Sequence, residues 1–166
     1  MTDTRRFAAR CRRRALGNEG ATLVELALSC AILLSLMIGV MQICIALYAF
    51  HATTDLARQG SRWAMVRGST SCTNTPNLTN CNASPGDIQS FVTGLGFLNL
   101  STDDVTVNWL TASAAPPTTW SACAGTCNTP GNEVQVEVTY PFPLHIPFVR
   151  SKTLNITSTS EVVISQ

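Results

Sequence analysis

The sequence predicts an α+β protein in which a long amino-terminal transmembrane α-helix continues into a small antiparallel β-sheet domain. Three observations lead to this prediction. Between Leu26 and Phe50 the 166-residue chain contains no Asp, Glu, Lys or Arg. A helical period persists beyond Phe50, and proline is absent until Pro76. Three later segments alternate apolar and polar residues, which is the period of a half-buried strand.

The apolar segment has the length and flanks of a single membrane span. At about 1.5 Å per residue, such a helix crosses the roughly 30 Å hydrocarbon core of a bilayer. The first twenty residues carry six arginines against one Asp and one Glu. An arginine cluster beside a span stays in the cytoplasm, so residues beyond Phe50 are predicted to lie outside it. The alternatives are a nucleic-acid-binding arm and a cleavable secretory signal, whose apolar core is about 7–15 residues.

These patterns divide the chain into three parts. We predict a basic cytoplasmic leader over 1–20, a transmembrane and amphipathic helix over 21–66 and an extracytoplasmic α+β domain over 67–166. Two stripes run along the second half of the helix. Small residues on which another element can pack recur at the helical spacing at Thr53, Ala57, Gly60 and Ala64. A solvated polar stripe with weak ion pairs follows the same spacing at His51, Asp55, Arg58 and Arg62.

The domain is predicted to contain one further helix and three strands. Ser84 followed by Pro85 and Asp87 is a helix start, and Gly94 and Gly96 end that helix. Alternation predicts strands over 103–110, 133–140 and 153–164. Polar loops are predicted over 68–85 and 111–131. Three prolines are predicted to break the chain before the last strand, at Pro141, Pro143 and Pro147.

Four of the seven cysteines lie in the predicted exported domain, at Cys72, Cys81, Cys123 and Cys127. In an exported domain of this size they predict two disulfides. Three pairings are possible, and the short, turn-rich loops favour Cys72 with Cys81 and Cys123 with Cys127. A four-thiolate zinc site is the alternative, although the first spacing is wide for a zinc hairpin. Cys30 and Cys44 fall in the span and are interpreted as small apolar fillers.

The charge at the start of the span needs an explanation, because an ionised carboxylate in hydrocarbon is costly. Glu25 follows Gly20 after four uncharged residues. One interpretation places Glu25 at the headgroup edge, where it costs little. The other comes from the motif: a basic leader, a Gly, four uncharged residues, a Glu and an apolar helix resemble the processing site of type IV pilins and pseudopilins. That resemblance implies cleavage between Gly20 and Ala21, a subunit-assembly role for Glu25 and a pilin-like fold.

A second stretch narrows the resemblance. Two segments after the apolar run resemble the TadE-like pseudopilins of the tight-adherence (Flp pilus) system: Leu47-Tyr48-Ala49-Phe50 and Asp55-Leu56-Ala57-Arg58-Gln59-Gly60-Ser61-Arg62-Trp63-Ala64. The resemblance covers Gly20 to Val66. It implies a minor pseudopilin that takes part in assembling adhesive Flp-type pili in the bacterial inner membrane. Its partners would be a prepilin peptidase and other pseudopilins or pilins of that machinery.

The sequence contains no motif for catalysis or for a cofactor, and the arginine cluster is interpreted as a topology signal rather than as a nucleic-acid-binding arm. Its histidines are His51 and His145, and we interpret both as non-catalytic. We therefore expect no enzymatic activity, no cofactor and no resident metal. The alternative function is an uncleaved, signal-anchored binding module, and the mature amino terminus distinguishes it from a pseudopilin.

Overall fold

The computed structural model describes residues 4–96, 98–112, 119–123, 125, 127–145 and 150–165, with the backbone alone for residues 4–19. Within these ranges the predicted α+β class is confirmed. The helices are α1 (Thr4–Met65), α2 (Ser71–Asn74) and α3 (Pro85–Gly94), with a single 3-10 turn at Thr102–Asp104. The strands are β1 (Val105–Ala112), β2 (Trp120–Ala122), β3 (Glu133–Leu144) and β4 (Lys152–Val163). Cys44–Leu144 and Lys152–Gln166 form one compact unit, named the domain unit below, and Met1–Ile43 with His145–Ser151 form another.

Helix α1 begins well before the predicted start near Ala21. It extends back to Thr4 and ends at Met65, one residue before the predicted end. The leader is rich in Arg and Ala, which are strong helix formers. No proline interrupts it, so a helix established in the apolar segment propagates toward the amino terminus.

The four strands form one antiparallel sheet in the order β2-β1-β3-β4, so the predicted count of three strands was wrong. The missing strand, β2, lies in the segment predicted as the second polar loop and pairs with residues 110–112 of β1. Strand β3 lies at the centre, pairing with β1 over six residues and with β4 over twelve.

Pro141 and Pro143 do not break the chain as predicted, because both lie inside β3 and pair with β4. The pairing of β3 with β1 ends at Val138, so the second half of β3 has a free edge on that side. The two prolines are two residues apart, so their backbone nitrogens, which carry no hydrogen to donate, face the same edge of the strand. A strand tolerates proline where no ladder hydrogen bond is needed. Pro147 lies outside the described residues.

The predicted small-residue face of α1 is confirmed as the surface that packs on the sheet. Thr53, Ala57 and Ala64 are completely buried. Helix α1 approaches the sheet closely at Gly60, where an added Cβ would lie 3.2 Å from Val136 Cγ1 of β3. The hydroxyls of Ser61 and of Ser160 in β4 are hydrogen-bonded at 2.9 Å.

Helix α3 completes the layer on the same face of the sheet. Its start is capped as predicted: Ser84 Oγ accepts a hydrogen bond from the Asp87 backbone, and Asp87 accepts one from the Ser84 backbone. Ile88 and Val92 are buried between α1 and the sheet. The Gln89 amide donates a hydrogen bond of 2.8 Å to the carbonyl of Val105. The main core therefore lies between two helices and one face of the sheet, with Leu56 among its largest buried side chains.

Asn128 ties the end of α1 to the start of α3. Its side chain is 4% exposed. Its Nδ2 donates hydrogen bonds to the carbonyls of Arg67 at 3.0 Å and Ala83 at 2.9 Å. The backbone carbonyl of Asn128 accepts a hydrogen bond from the backbone N–H of Ser69. The carbonyl of Arg67 also accepts the backbone N–H of Ala83 at 3.0 Å, so these bonds join the segments that follow α1 and precede α3.

A second, smaller core shows the direction of α1 along the sheet. Ala49 packs against Phe142 and Ile156, with Leu144 at the margin. At the other end of this part of α1, the backbone of Ser165 donates to the carbonyl of Met65. Helix α1 therefore runs in the same direction as β4. Phe142 lies in β3 and is buried, rather than in a loop between the prolines, and residues 146–148 lie outside the described ranges.

Candidate functional site: the apolar helix and the paired cysteines

The exposed apolar part of α1 is the most distinctive surface of the chain. A candidate membrane span covers Gly20–Met65, with a mean hydropathy of 2.5 in its most apolar window and none of that window buried. Large apolar side chains remain more than half exposed at Leu23, Leu26, Leu28, Leu33, Leu36 and Met41. Exposed apolar surface on this scale favours a non-aqueous environment. The helix fits a single-pass membrane anchor, as predicted.

Glu25 lies on this exposed helix one turn after Ala21. Its backbone carbonyl accepts a hydrogen bond of 2.9 Å from the hydroxyl of Ser29. Among the described side chains, no cation pairs with the Glu25 carboxylate. If Glu25 lies in hydrocarbon, a stabilising partner charge would have to come from outside the described side chains.

The packing of the chain does not explain the glycine at position 20. Gly20 lies inside α1, and a Cβ added there would meet nothing within 4 Å. A glycine in a helix interior costs about 1 kcal/mol relative to alanine. The residue is therefore neither favoured by helix formation nor required by close approach in the described structure. The site residues Gly20, Ala21 and Glu25 lie within about one and a half turns of each other.

The structure brings four cysteines of the domain unit together in the predicted pairs. Cys72 and Cys81 are at disulfide distance with a Cα–Cα separation of 4.9 Å. Cys123 and Cys127 are at disulfide distance with a Cα–Cα separation of 6.2 Å. Both separations fall in the usual range of about 4.4–6.8 Å. In the described part of the chain, no group of three or more His, Cys, Asp or Glu side chains is placed to hold a metal ion.

The polar stripe of α1 is solvated, as predicted, and its members are exposed at His51, Asp55, Arg58 and Arg62. The predicted ion pair of Asp55 with Arg58 is not formed among the described side chains. The guanidinium groups therefore remain open to solvent or to another molecule.

Sequence reasoning missed Glu133, the first residue of β3. The alternating pattern indicates a side chain on the outer face of the sheet, yet Glu133 is only 8% exposed. Its Oε2 is buried without a hydrogen-bond partner in the described structure. Burial, and then the nearby carboxylate of Glu161, raise the pKa of Glu133. No local pattern indicates this burial, because the neighbouring strands create it.

The fold and the exposed segment together define an α+β protein whose long amino-terminal helix fits a single-pass membrane anchor. The family model described as TadE-like protein matches residues 20–62, which confirms the resemblance read from the sequence. Comparisons with curated proteins and with solved structures found no match. The match includes Gly20, Ala21 and Glu25 and ends before the sheet. It implies association with the tight-adherence pilus machinery.

Proposed function

We propose that this chain is a minor pseudopilin that takes part in assembling adhesive Flp-type pili. The observation that carries the proposal is the TadE-like match over residues 20–62. In the proposed topology the chain crosses the bacterial inner membrane once. The arginine-rich leader stays in the cytoplasm, and the disulfide-containing domain lies in the periplasm or outside the cell.

In the proposed first step, a prepilin peptidase cuts between Gly20 and Ala21. Two features support this step. Gly20 has no packing role in the described structure, so this residue is available for recognition by the peptidase. Glycine also weakens the helix locally, which lowers the cost of opening the backbone for cleavage.

In the proposed second step, Glu25 forms an ion pair with the new amino terminus at Ala21 of a neighbouring subunit. Each of these charges is costly alone in hydrocarbon, and the pair neutralises both. The absence of a cationic partner for Glu25 among the described side chains supports an intermolecular pairing. Such a pair would set the register in which the apolar helices of adjacent subunits pack.

The mature amino terminus tests this proposal. Protein purified from a host that contains the prepilin peptidase is expected to have an intact mass that begins at Ala21. Gly20→Leu is expected to leave the precursor uncut, and it disturbs no contact because a Cβ at this position meets nothing. Gly17→Leu, in the same leader, is the matched control and is expected to be processed.

The competing function is an uncleaved, signal-anchored binding module. One observation favours it: α1 continues without interruption from the leader through Gly20. A purified chain that retains the leader arginines in the presence of the peptidase would establish this module and remove the pseudopilin mechanism.

A further inference from the structure

Two faces of the domain unit carry opposite charges. The basic stripe consists of Arg58 and Arg62, which are exposed one turn apart on α1. The acidic face consists of Glu133, Glu137 and Glu161 on the outer side of the sheet. Arg58, Arg62 and Glu161 are exposed and Glu137 is partly exposed, whereas Glu133 is buried beside them.

The strand pattern places the acidic face opposite α1. Val136 and Val138 are completely buried toward the helices, so the intervening Glu137 points to the other side of the sheet. The amide of Gln135 shares that side and donates a hydrogen bond of 2.6 Å to Glu161 Oε1.

The acidic face lacks a neutralising cation. Glu133 has a buried, unpartnered carboxyl oxygen, and the repulsion of Glu161 contributes to its raised pKa. No Lys or Arg among the described side chains offsets this repulsion. A guanidinium group placed beside Glu161 would relieve it.

The two charged surfaces lie at the same level of the domain unit. Gly60 approaches Val136, and Ser61 is hydrogen-bonded to Ser160. The basic stripe brackets Gly60 and Ser61 on the helix. Glu137 and Glu161 directly follow Val136 and Ser160 along their strands. The guanidinium groups and these two carboxylates are therefore level with one another, on opposite outer surfaces of the two-layer unit.

A second copy of the chain, moved along the normal to the sheet and kept in the same orientation, brings these surfaces together. Its α1 then lies on the outer face of the first sheet, with the basic stripe beside the acidic face. Asp55, one turn earlier on α1, then meets the hydroxyl pair of Thr139 and Thr157, whose oxygens are 3.1 Å apart. Both copies keep the same polarity, as two chains anchored in one membrane require.

We propose that the acidic face is the docking surface for the basic stripe of a second copy of this chain. The contact is heterologous: each copy presents its stripe to one neighbour and its acidic face to another, so the contact repeats in a row. The second copy is a partner for the proposed pseudopilin. Only the biological role of this contact rests on the proposed function. Self-association of the purified chain requires neither cleavage nor a pilus.

The test uses charge reversal in the full-length protein, purified in detergent at low salt. One variant carries Arg58→Glu and Arg62→Glu, and a second carries Glu137→Arg and Glu161→Arg. Each variant alone is expected to self-associate at least about tenfold more weakly, because like charges then face each other. An equimolar mixture is expected to recover association, since every contact in an alternating row again joins opposite charges.

The control variant, Arg150→Glu with Lys152→Glu, changes net charge as the first variant does but alters exposed residues at the β3–β4 hairpin. It is expected to associate like the parent. If charge reversal disturbs folding, the neutral variant Glu137→Gln with Glu161→Gln replaces it. This variant is expected to weaken association less than the reversal of the same two residues. The proposal is wrong if the parent is monomeric, if neither reversal weakens association, or if the mixture does not recover it. A chain that retains its leader but passes this test would overturn the proposed function and leave this inference intact.

Discussion

Gly60 of α1 lies against Val92 of α3 so closely that an added Cβ would come within 2.7 Å of Val92 Cγ2. The same position is 3.2 Å from Val136 Cγ1. Gly60 is therefore the point at which both helices and the sheet meet. The absence of a side chain lets the three elements close on one core.

Gly60→Ala is expected to destabilise the protein, because the new methyl overlaps a stiff valine side chain. Overpacking of this kind costs about 1–3 kcal/mol, against a gain of up to about 1 kcal/mol in helix propensity. Chemical denaturation of the detergent-solubilised chain measures the difference. The matched control is Gly94→Ala in α3, where a Cβ meets nothing within 4 Å, and it is expected to be neutral or slightly stabilising. Equal stabilities of the two variants would contradict the close packing at Gly60.

Glu133 makes the stability of the domain depend on pH. Its folded-state pKa is raised from the model-compound value of 4.5, so the folded chain holds this proton more tightly than the unfolded chain. The resulting stabilisation is complete below about pH 4.5 and is lost as pH rises through the raised pKa. Glu133→Gln is expected to unfold at higher denaturant concentration than the parent at neutral pH, with little difference at pH 4.

Asp87 is the control for this pH dependence, because its pKa is shifted in the opposite direction to that of Glu133. Hydrogen bonds from Ser84 lower the pKa of Asp87 below 3.8. Its contribution is therefore present above that pH and is lost only as pH falls through the lowered value. Stability curves from pH 4 to pH 7 are expected to change with Glu133→Gln and to keep their shape with Asp87→Asn. A parent curve that is flat over this range would contradict the assignment to Glu133.

If the domain unit is exported as proposed, its four paired cysteines are expected to be oxidised. Each disulfide should stabilise the domain by about 2–4 kcal/mol, chiefly by restricting the unfolded chain. Thiol labelling of the denatured, non-reduced protein should modify Cys30 and Cys44, with Cys11 in addition if the leader is retained. Four further labelled thiols, or zinc at one equivalent per chain, would show that the pairs at Cys72 and Cys123 are not disulfides.

Glu25→Ala is expected to impair assembly while leaving the domain folded. The variant removes a costly charge from the apolar helix, so membrane insertion should be at least as efficient as in the parent. The amine of Ala21 in the next subunit would lose its partner, and breaking a buried pair costs about 3–5 kcal/mol. That cost corresponds to more than about a hundredfold in an association constant.

Membrane fractionation and counts of surface pili measure the two parts of this prediction. Glu19→Ala removes a carboxylate from the leader and serves as the control, with normal pilus numbers expected. Normal pilus numbers with Glu25→Ala would instead place Glu25 at the headgroup edge, where it needs no partner.

The sequence by itself determined the long apolar helix, the spacing of the predicted site residues along it and the packing face of α1. Gly20, Ala21 and Glu25 are adjacent on one helix, so their spacing is visible without a fold. The small-residue stripe from Thr53 to Ala64 follows the helical period, and the cap of α3 is set by local hydrogen bonds. Features that depend on neighbours within about one turn are encoded in short stretches of the chain.

The tertiary structure alone decided the course of the strands and the environments of their polar residues. β3 continues through Pro141 and Pro143 because its pairing with β1 extends only as far as Val138. β2 forms in a polar segment because the end of β1 offers free backbone groups. Glu133 is buried, and Asn128 is bonded to Arg67 and Ala83, through contacts with residues distant in sequence. Strand pairing and burial depend on which segments become neighbours in space, and no local period of the chain specifies that.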